Sequence, residues 1–269
     1  MAGSISVRRK VASKPVPRSA SQYAVGMAGG ALGALLGVGV FAPASWLAYG
    51  MEQASAGHVR LVNPVGRVWA GSAALELRSG AGGSAALTLP SRVSWALDGQ
   101  ATGLQLQLHA DCCTAAPVRL RAGMAGVQVD AAQLSLPIAW LQGLGAPWNT
   151  LQLRGDMRAQ WERMALPWSQ PWQSLQAAVQ VQLRGVSTRL TTLPEIGSYQ
   201  LELAGGPTPT LKLSTLQGAL QLTGQGQWHG RQLRFQGQAQ AQPEQAAELS
   251  NLLTLLGRRQ GNTTMMRWG

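Results

Sequence analysis

The sequence predicts an all-β exported domain, built as a long antiparallel, meandering, curved sheet with one or two short helices and preceded by a single N-terminal transmembrane helix. Three observations carry this. Apolar and polar residues alternate along most of the chain after residue 50, Gly- and Pro-containing turns separate these runs at short intervals, and an uncharged apolar stretch runs from Ala24 to Ala42. Of 269 residues, 45% are hydrophobic and only 12% charged, too little charge for a disordered chain.

The first 22 positions hold five basic residues (Arg8, Arg9, Lys10, Lys14, Arg18) and no acid. They read as a basic cytoplasmic tail, 1–22, followed by a transmembrane helix over 23–49, because a basic cluster before an apolar span stays inside. Tyr23, Trp46 and Tyr49 stand where aromatic residues anchor at membrane interfaces, and Pro43 marks a kink or the helix end. The rival reading is a cleaved signal peptide. It fits less well, because the apolar run is long and Ala42-Pro43-Ala44 has proline in an awkward place for cleavage. Gly29, Gly33 and Gly37 recur every four residues, leaving one helix face of nearly bare backbone that a partner helix can approach; glycine as ordinary filler of membrane helices is the plainer alternative.

Residues 50–257 read as the β-rich domain. Leu104, Leu106 and Leu108 alternate with Gln105, Gln107 and His109, and Val179, Val181 and Leu183 with Gln180, Gln182 and Arg184. The pairs Leu151/Leu153, Leu201/Leu203, Leu211/Leu213, Leu220/Leu222 and Leu233/Phe235 continue the pattern, ten or so strands in all. Outward positions are mostly Gln, Thr, Ser and Arg, so one sheet face is polar and the other needs a cover. Two helices are expected. One is short, over 137–145, and the other runs over 243–256, with Pro243 in the first turn, Leu249, Leu252, Leu253 and Leu256 on one face, and Gly257 as the stop. Residues 258–269 read as a polar, loosely held C-terminal tail.

Chemistry-bearing patterns are few. Cys112 and Cys113 are adjacent, which favours small, partly buried thiols over a strained vicinal disulfide. His109, Asp111 and Cys113 alternate along a strand, about 6.6 Å apart and too widely spaced to share one metal ion easily. No nucleophile, base and orienting group occur together, so no enzyme, cofactor, metal or small-molecule substrate is expected. The net charge is +11, but beyond the basic tail the 17 remaining basic residues are scattered singly, apart from Arg258-Arg259, and not interleaved with aromatic residues, which argues against nucleic acid.

Several segments in order carry a likeness: His58 to Ala73, Leu89-Pro90 with Val93-Ser94-Trp95, Gly145 to Leu151, Gly197-Ser198-Tyr199, Gly218-Ala219-Leu220, and Leu252-Leu253 with Leu256-Gly257-Arg258-Arg259. Together they resemble the type II secretion system protein N family, also called general secretion pathway protein N. The resemblance implies a bitopic, non-catalytic accessory component of the inner membrane, with its bulk in the periplasm of a Gram-negative cell. Its machine exports folded proteins across the outer membrane, and the expected partners are the secretin and the inner-membrane assembly platform. The architecture is also similar to AsmA-like proteins, whose sheets form lipid-accommodating grooves; the alternative function is therefore an anchored periplasmic β-groove protein that binds or handles lipid. Trp69, Trp95, Trp148, Trp161 and Tyr199 have apolar bodies with a polar handle, which suits a core edge or a protein interface.

Overall fold

The computed structural model describes residues 29–30, 33, 37–78, 86–144, 148–168, 177–230 and 232–269. The chain divides into two units, 1–41 and 42–269. In the first, residues 29, 30, 33 and 37–41 are helical. Among the described residues no helix is long and apolar enough to cross a membrane, and much of the 23–49 span lies outside them.

The end of that span is assigned differently. Pro43 has extended backbone (φ −71°, ψ 150°) and starts a separate helix, α1 (Ala44–Ala54). The break has a cause: proline disfavours helix in the residue before it, and the Ala42 carbonyl instead accepts the Val68 N–H at 2.9 Å. Ala44 is buried, and Leu47 and Ala48 pack with Leu61, Ala73 and Trp95. Positions 44–49 therefore belong to the β-rich unit, which begins at Ala42 and not at residue 50.

Among the described residues sixteen strands follow, all paired antiparallel, where the sequence suggested about ten. A seven-stranded sheet runs in the order β1 (Val59–Gly66), β2 (Ala70–Arg78), β3 (Ala86–Gln100), β4 (Gly103–Ala110), β5 (Val118–Gly123), β6 (Gly126–Val129), β9 (Met164–Pro167). A nine-stranded sheet contains β7 (Ala132–Pro137), β8 (Arg154–Trp161), β10 (Ala178–Ser187), β11 (Gly197–Ala204), β12 (Thr210–Gln217), β13 (Leu220–His229), β14 (Gln232–Ala241), β15 (Arg258–Gln260) and β16 (Thr263–Trp268). Its order is β15-β16-β14-β13-β12-β11-β10-β8-β7. Neighbours in space are mostly neighbours in sequence, as a meander requires.

The single long sheet of the sequence reading is thus two sheets, and one hairpin belongs to both. β6 and β7 are successive parts of one strand, β8 and β9 of its partner. Val129 faces Met164 and Ala132 faces Trp161, so the register passes through the bend without a slip. At the bend Asp130 uses every polar group it has. Its carboxylate lies 3.1 Å from Arg121 and 3.3 Å from Arg163, its N–H donates to the Arg119 carbonyl at 2.9 Å, and its carbonyl accepts the Trp161 Nε1–H at 3.1 Å.

The bend lets the two apolar faces cover each other where they meet. Leu89, Ala110 and Cys113 from the first sheet side are buried with Leu136 of β7, with Val93, Leu134, Trp140 and Met157 packed around them. The β4–β5 turn ties the sheets directly, since the Ser135 N–H donates to the Cys113 carbonyl at 2.8 Å. In this turn Cys112 and Cys113 form a disulfide with each other, not two free thiols. The expectation of free thiols rested on the strain of bridging adjacent residues; β4 ends at Ala110, and residues 111–113 are a turn.

Two further expectations change. The short helix at 137–145 appears as a 3-10 helix, Ile138–Leu144. The helix at 243–256 is divided into a 3-10 turn, Pro243–Gln245, and α3 (Ser250–Leu256), although Leu249, Leu252 and Leu253 are buried as one face. The supposed tail is structural: β16 pairs with β14 from Phe235↔Trp268 to Gln240↔Thr263, with Thr264 and Met266 buried. Its inward Thr264, Met266 and Trp268 alternate with Met265 and Arg267, a period-two pattern hidden by its brevity and polarity.

Asp130→Ala removes both ion pairs at the bend while sparing its backbone bonds. Thermal unfolding of the full chain in neutral detergent should show a loss of about 1–2 kcal/mol, smaller at high salt. An unchanged midpoint would mean that the backbone alone holds the bend.

Candidate functional site

The residues singled out from the sequence fall into separate groups. Gly29 and Gly33 are exposed, and a Cβ built on Gly29, Gly33 or Gly37 meets nothing within 4 Å, so this helical face is open. Trp148 is the first residue of the short α2 (Trp148–Leu151), while 145–147 of the same segment lie outside the described residues.

Trp95 and Tyr199 are core residues, 6% and 2% exposed, and neither is available to a partner. Each locks one sheet by lying where glycine leaves room. The Trp95 Nε1–H donates to the carbonyls of Arg67 (3.2 Å) and Val68 (3.0 Å) in the β1–β2 turn. A Cβ on Gly71 would stand 2.7 Å from the Trp95 ring and 2.5 Å from the Val65 carbonyl, so the close approach requires glycine. Tyr199 Oη donates to the Leu220 carbonyl at 3.1 Å, and the Leu220 N–H donates to the Ile196 carbonyl at 2.9 Å. Gly218 (φ +125°) lies against Gly197, and a Cβ there would collide with the Gly197 Cα. The segments Gly197-Ser198-Tyr199 and Gly218-Ala219-Leu220 are therefore two halves of one lock.

A third lock was not read from the sequence. The Phe235 ring, 2% exposed, lies across Gly224, Gly226 and Gly237 and stacks on Trp268 with ring centroids 5.0 Å apart. The period-two spacing of Gly224 and Gly226 opposite an aromatic residue was the available signal. Trp161 is half-buried at the Asp130 bend, and Trp69 is 41% exposed beside the β1–β2 turn.

The His109, Asp111 and Cys113 series does not converge on an ion. His109 Nε2 lies 3.1 Å from Asp111 Oδ1, its Nδ1 lies 2.9 Å from Thr114 Oγ1, and the Cys113 sulfur is bonded to Cys112. Among the described residues no group of three or more His, Cys, Asp or Glu could hold a metal.

What remains to face a partner is the polar surface and a partly covered apolar face. The inner face of the nine-stranded sheet is covered unevenly. At one end Val186, Ile196, Tyr199, Leu220 and Ala241 are buried under the α3 leucines. Toward the other end Val179, Val181, Leu201, Leu203, Leu211 and Leu213 stay half-exposed, paired across strands as Leu201↔Leu213 and Leu203↔Leu211. On the seven-stranded sheet Leu104, Met124 and Trp168 are exposed near one another, with Leu104 opposite Ala122 and the Trp168 Nε1–H donating to the Gly123 carbonyl at 2.9 Å.

The Tyr199 lock has a pH signature. Burial, and secondarily the charge of Glu195, raise the phenol above its usual 10.0. A raised acid favours the neutral form in the fold, so its contribution is whole below about pH 10 and is lost as pH rises beyond that. Tyr199→Phe should cost about 1 kcal/mol in denaturant unfolding at neutral pH and lose less stability above about pH 10 than the parent chain. Gly218→Ala should cost more, about 2 kcal/mol or above, because both backbone angle and space are lost. Equal stability of the two variants would contradict the lock.

No curated protein and no solved structure matches the chain. A family model, type II secretion system (T2SS), protein N, matches residues 57–265, a span that begins ahead of β1, takes in the Trp95 and Tyr199 locks, the Phe235 ring with its glycines and the Asp130 bend, and ends within β16, short of Trp268. On that match, which covers most of its length, the chain belongs to the type II secretion system protein N family.

Proposed function

We propose that this protein is a non-catalytic accessory component of the type II secretion system, anchored in the inner membrane by the apolar segment before Ala42, with the β-rich unit in the periplasm. The family match over residues 57–265 carries the reading. The basic residues of 1–22 and the uncharged run from Ala24 to Ala42 support the orientation, tail in the cytoplasm and sheets outside. In this role the two sheets are a stiff spacer. Their edges and loops meet the secretin or the assembly platform, and Trp69 with the exposed Leu104, Met124 and Trp168 are the surface residues best suited to such contacts.

A second reading rests on one observation, the half-exposed leucines at the open end of the nine-stranded sheet. An apolar face left partly uncovered also suits an acyl chain, which would make the protein a lipid-handling groove.

Photo-crosslinking residues placed at Leu213 and Leu222 on the apolar face and at Gln221 on the polar one separate the readings in intact cells. Adducts with secretin or assembly-platform subunits at Gln221, and no lipid at Leu213, are the expected result. Lipid adducts confined to Leu213 and Leu222 would replace the spacer by the groove. The helix face is tested separately: Gly33→Leu should abolish co-purification with an inner-membrane partner while leaving membrane insertion intact. Unchanged co-purification would remove that face from the assembly.

A further inference from the structure

The polar face of the nine-stranded sheet is not uniform. From Gly205 to Gln242, and again from Ser250 to Gly269, there is no Asp or Glu. The strands built from these residues, β12 to β16, carry Lys212, Arg234, Arg258, Arg259 and Arg267. Register places Lys212, Arg234 and Arg267 together on one face, with Arg258, paired with Met265, farther along the same face. Lys212 faces Gln225, which faces Gln236, which faces Arg267, across β12, β13, β14 and β16. The adjacent row runs Thr210, Gln227, Arg234. All three cations are exposed, and among the described residues none of their side chains enters a salt bridge. The nearest carboxylate by register is Glu202 on β11, opposite Lys212, and it already accepts the Gln200 Nε2–H at 2.7 Å.

This face is also concave. A trough of about 520 Å³ lies along it, lined by Lys212, Gln225, Gln227, His229, Arg234 and Gln236. A second hollow continues it past Ser214, Thr223 and Gln238. Strands about 4.8 Å apart and a stagger of one row set Lys212 and Arg234 roughly 12 Å from each other, and Lys212 and Arg267 roughly 14 Å. The glutamines between them each offer one donor and one acceptor group, the pair that a peptide unit itself presents.

We propose that this trough binds an acidic, extended polypeptide segment of a partner protein. Lys212, Arg234 and Arg267 take its carboxylates, and Gln225, Gln227 and Gln236 take its backbone amides. Three positive charges with a single carboxylate, Glu202, at their β11 edge leave a net positive face that selects a negative ligand, and an open row of carboxamides suits an extended chain better than a single compact ion. The proposal rests on the spacer reading for the existence of a protein partner. It locates the contact on the polar face of β12–β14 and β16, opposite the apolar face of the same sheet.

The full chain purified in neutral detergent is titrated against a fluorescent peptide of alternating Glu and Ser, with a peptide of alternating Lys and Ser as the control. Secretion is not read out, so failure here leaves the spacer reading standing. The acidic peptide should bind, more weakly as salt is raised, and the lysine peptide should not. The double variant Lys212→Gln/Arg234→Gln should bind about tenfold more weakly, while Arg119→Gln/Arg158→Gln, which removes two cations elsewhere on the sheets, binds as the parent does. All four positions are exposed, so folding is unaffected, and circular dichroism checks this. No binding, or equal weakening by both double variants, overturns the proposal. Tighter binding of phosphatidylglycerol micelles than of the acidic peptide, lost in the Lys212→Gln/Arg234→Gln chain, overturns it in favour of a lipid headgroup.

Discussion

The bend at Asp130, where one hairpin passes from one sheet to the other without a change of register, is the constraint on which the rest of the unit depends. Sixteen strands with one apolar face each cannot stay flat in water, because every uncovered leucine forgoes about 1.5–3 kcal/mol of burial. Bending the meander in its middle brings Leu89 and Ala110 against Leu136 and so uses each sheet as the other's cover. The corner itself is a poor place for backbone, since ladder bonds are interrupted there. Asp130 supplies replacements through its N–H, its carbonyl and a carboxylate shared between Arg121 and Arg163.

Beyond the corner, the sheets are pinned by aromatic rings laid over glycines. Trp95 over Gly71, Tyr199 at the Gly197/Gly218 contact, and Phe235 over Gly224, Gly226 and Gly237 each combine a large buried ring with a backbone approach that no other residue permits. In the first two the polar end of the ring also satisfies a turn carbonyl. This explains why segments that resemble a secretion family look like interface motifs in sequence: a tryptophan or tyrosine with a polar handle suits either a partner or a turn, and here turns receive them. The surfaces left for partners are less conspicuous ones, a glutamine-rich trough with three cations and an apolar rim.

Much of the architecture was legible in the sequence for a simple reason. In Leu104–His109 and Val179–Arg184 period two is unbroken, turn residues follow closely, and antiparallel meander is the economical solution. Three things were not legible. Pro43 itself reads as a kink or helix end, but that the helix after it joins the β-rich unit depends on the Val68 N–H donating to the Ala42 carbonyl, 26 residues distant in the chain, and on packing against Leu61 and Trp95. The bend at Asp130 looks like any Asp at a turn, because its arginine partners lie on other strands. The terminal strand β16 is too short and polar for its alternation to stand out, although burial of Thr264 and Met266 shows that it completes the core. Of the residues that suit either a core edge or an interface, Trp95 and Tyr199 are core, which the glycines they meet decide and the sequence alone does not, while Trp69 remains on the surface.

If the two sheets are a single stiff body, strands on both sides of the bend must open together. Hydrogen–deuterium exchange on the full chain carrying Asp130→Ala tests this directly, by following the amides of Val127–Val129 before the bend and Leu134–Leu136 after it. The account predicts that both segments exchange faster to the same extent, with β1–β3 and β11–β14 following. Faster exchange in one sheet with the other unchanged would mean two independently stable sheets joined by a passive corner, and a spacer that is hinged in its middle.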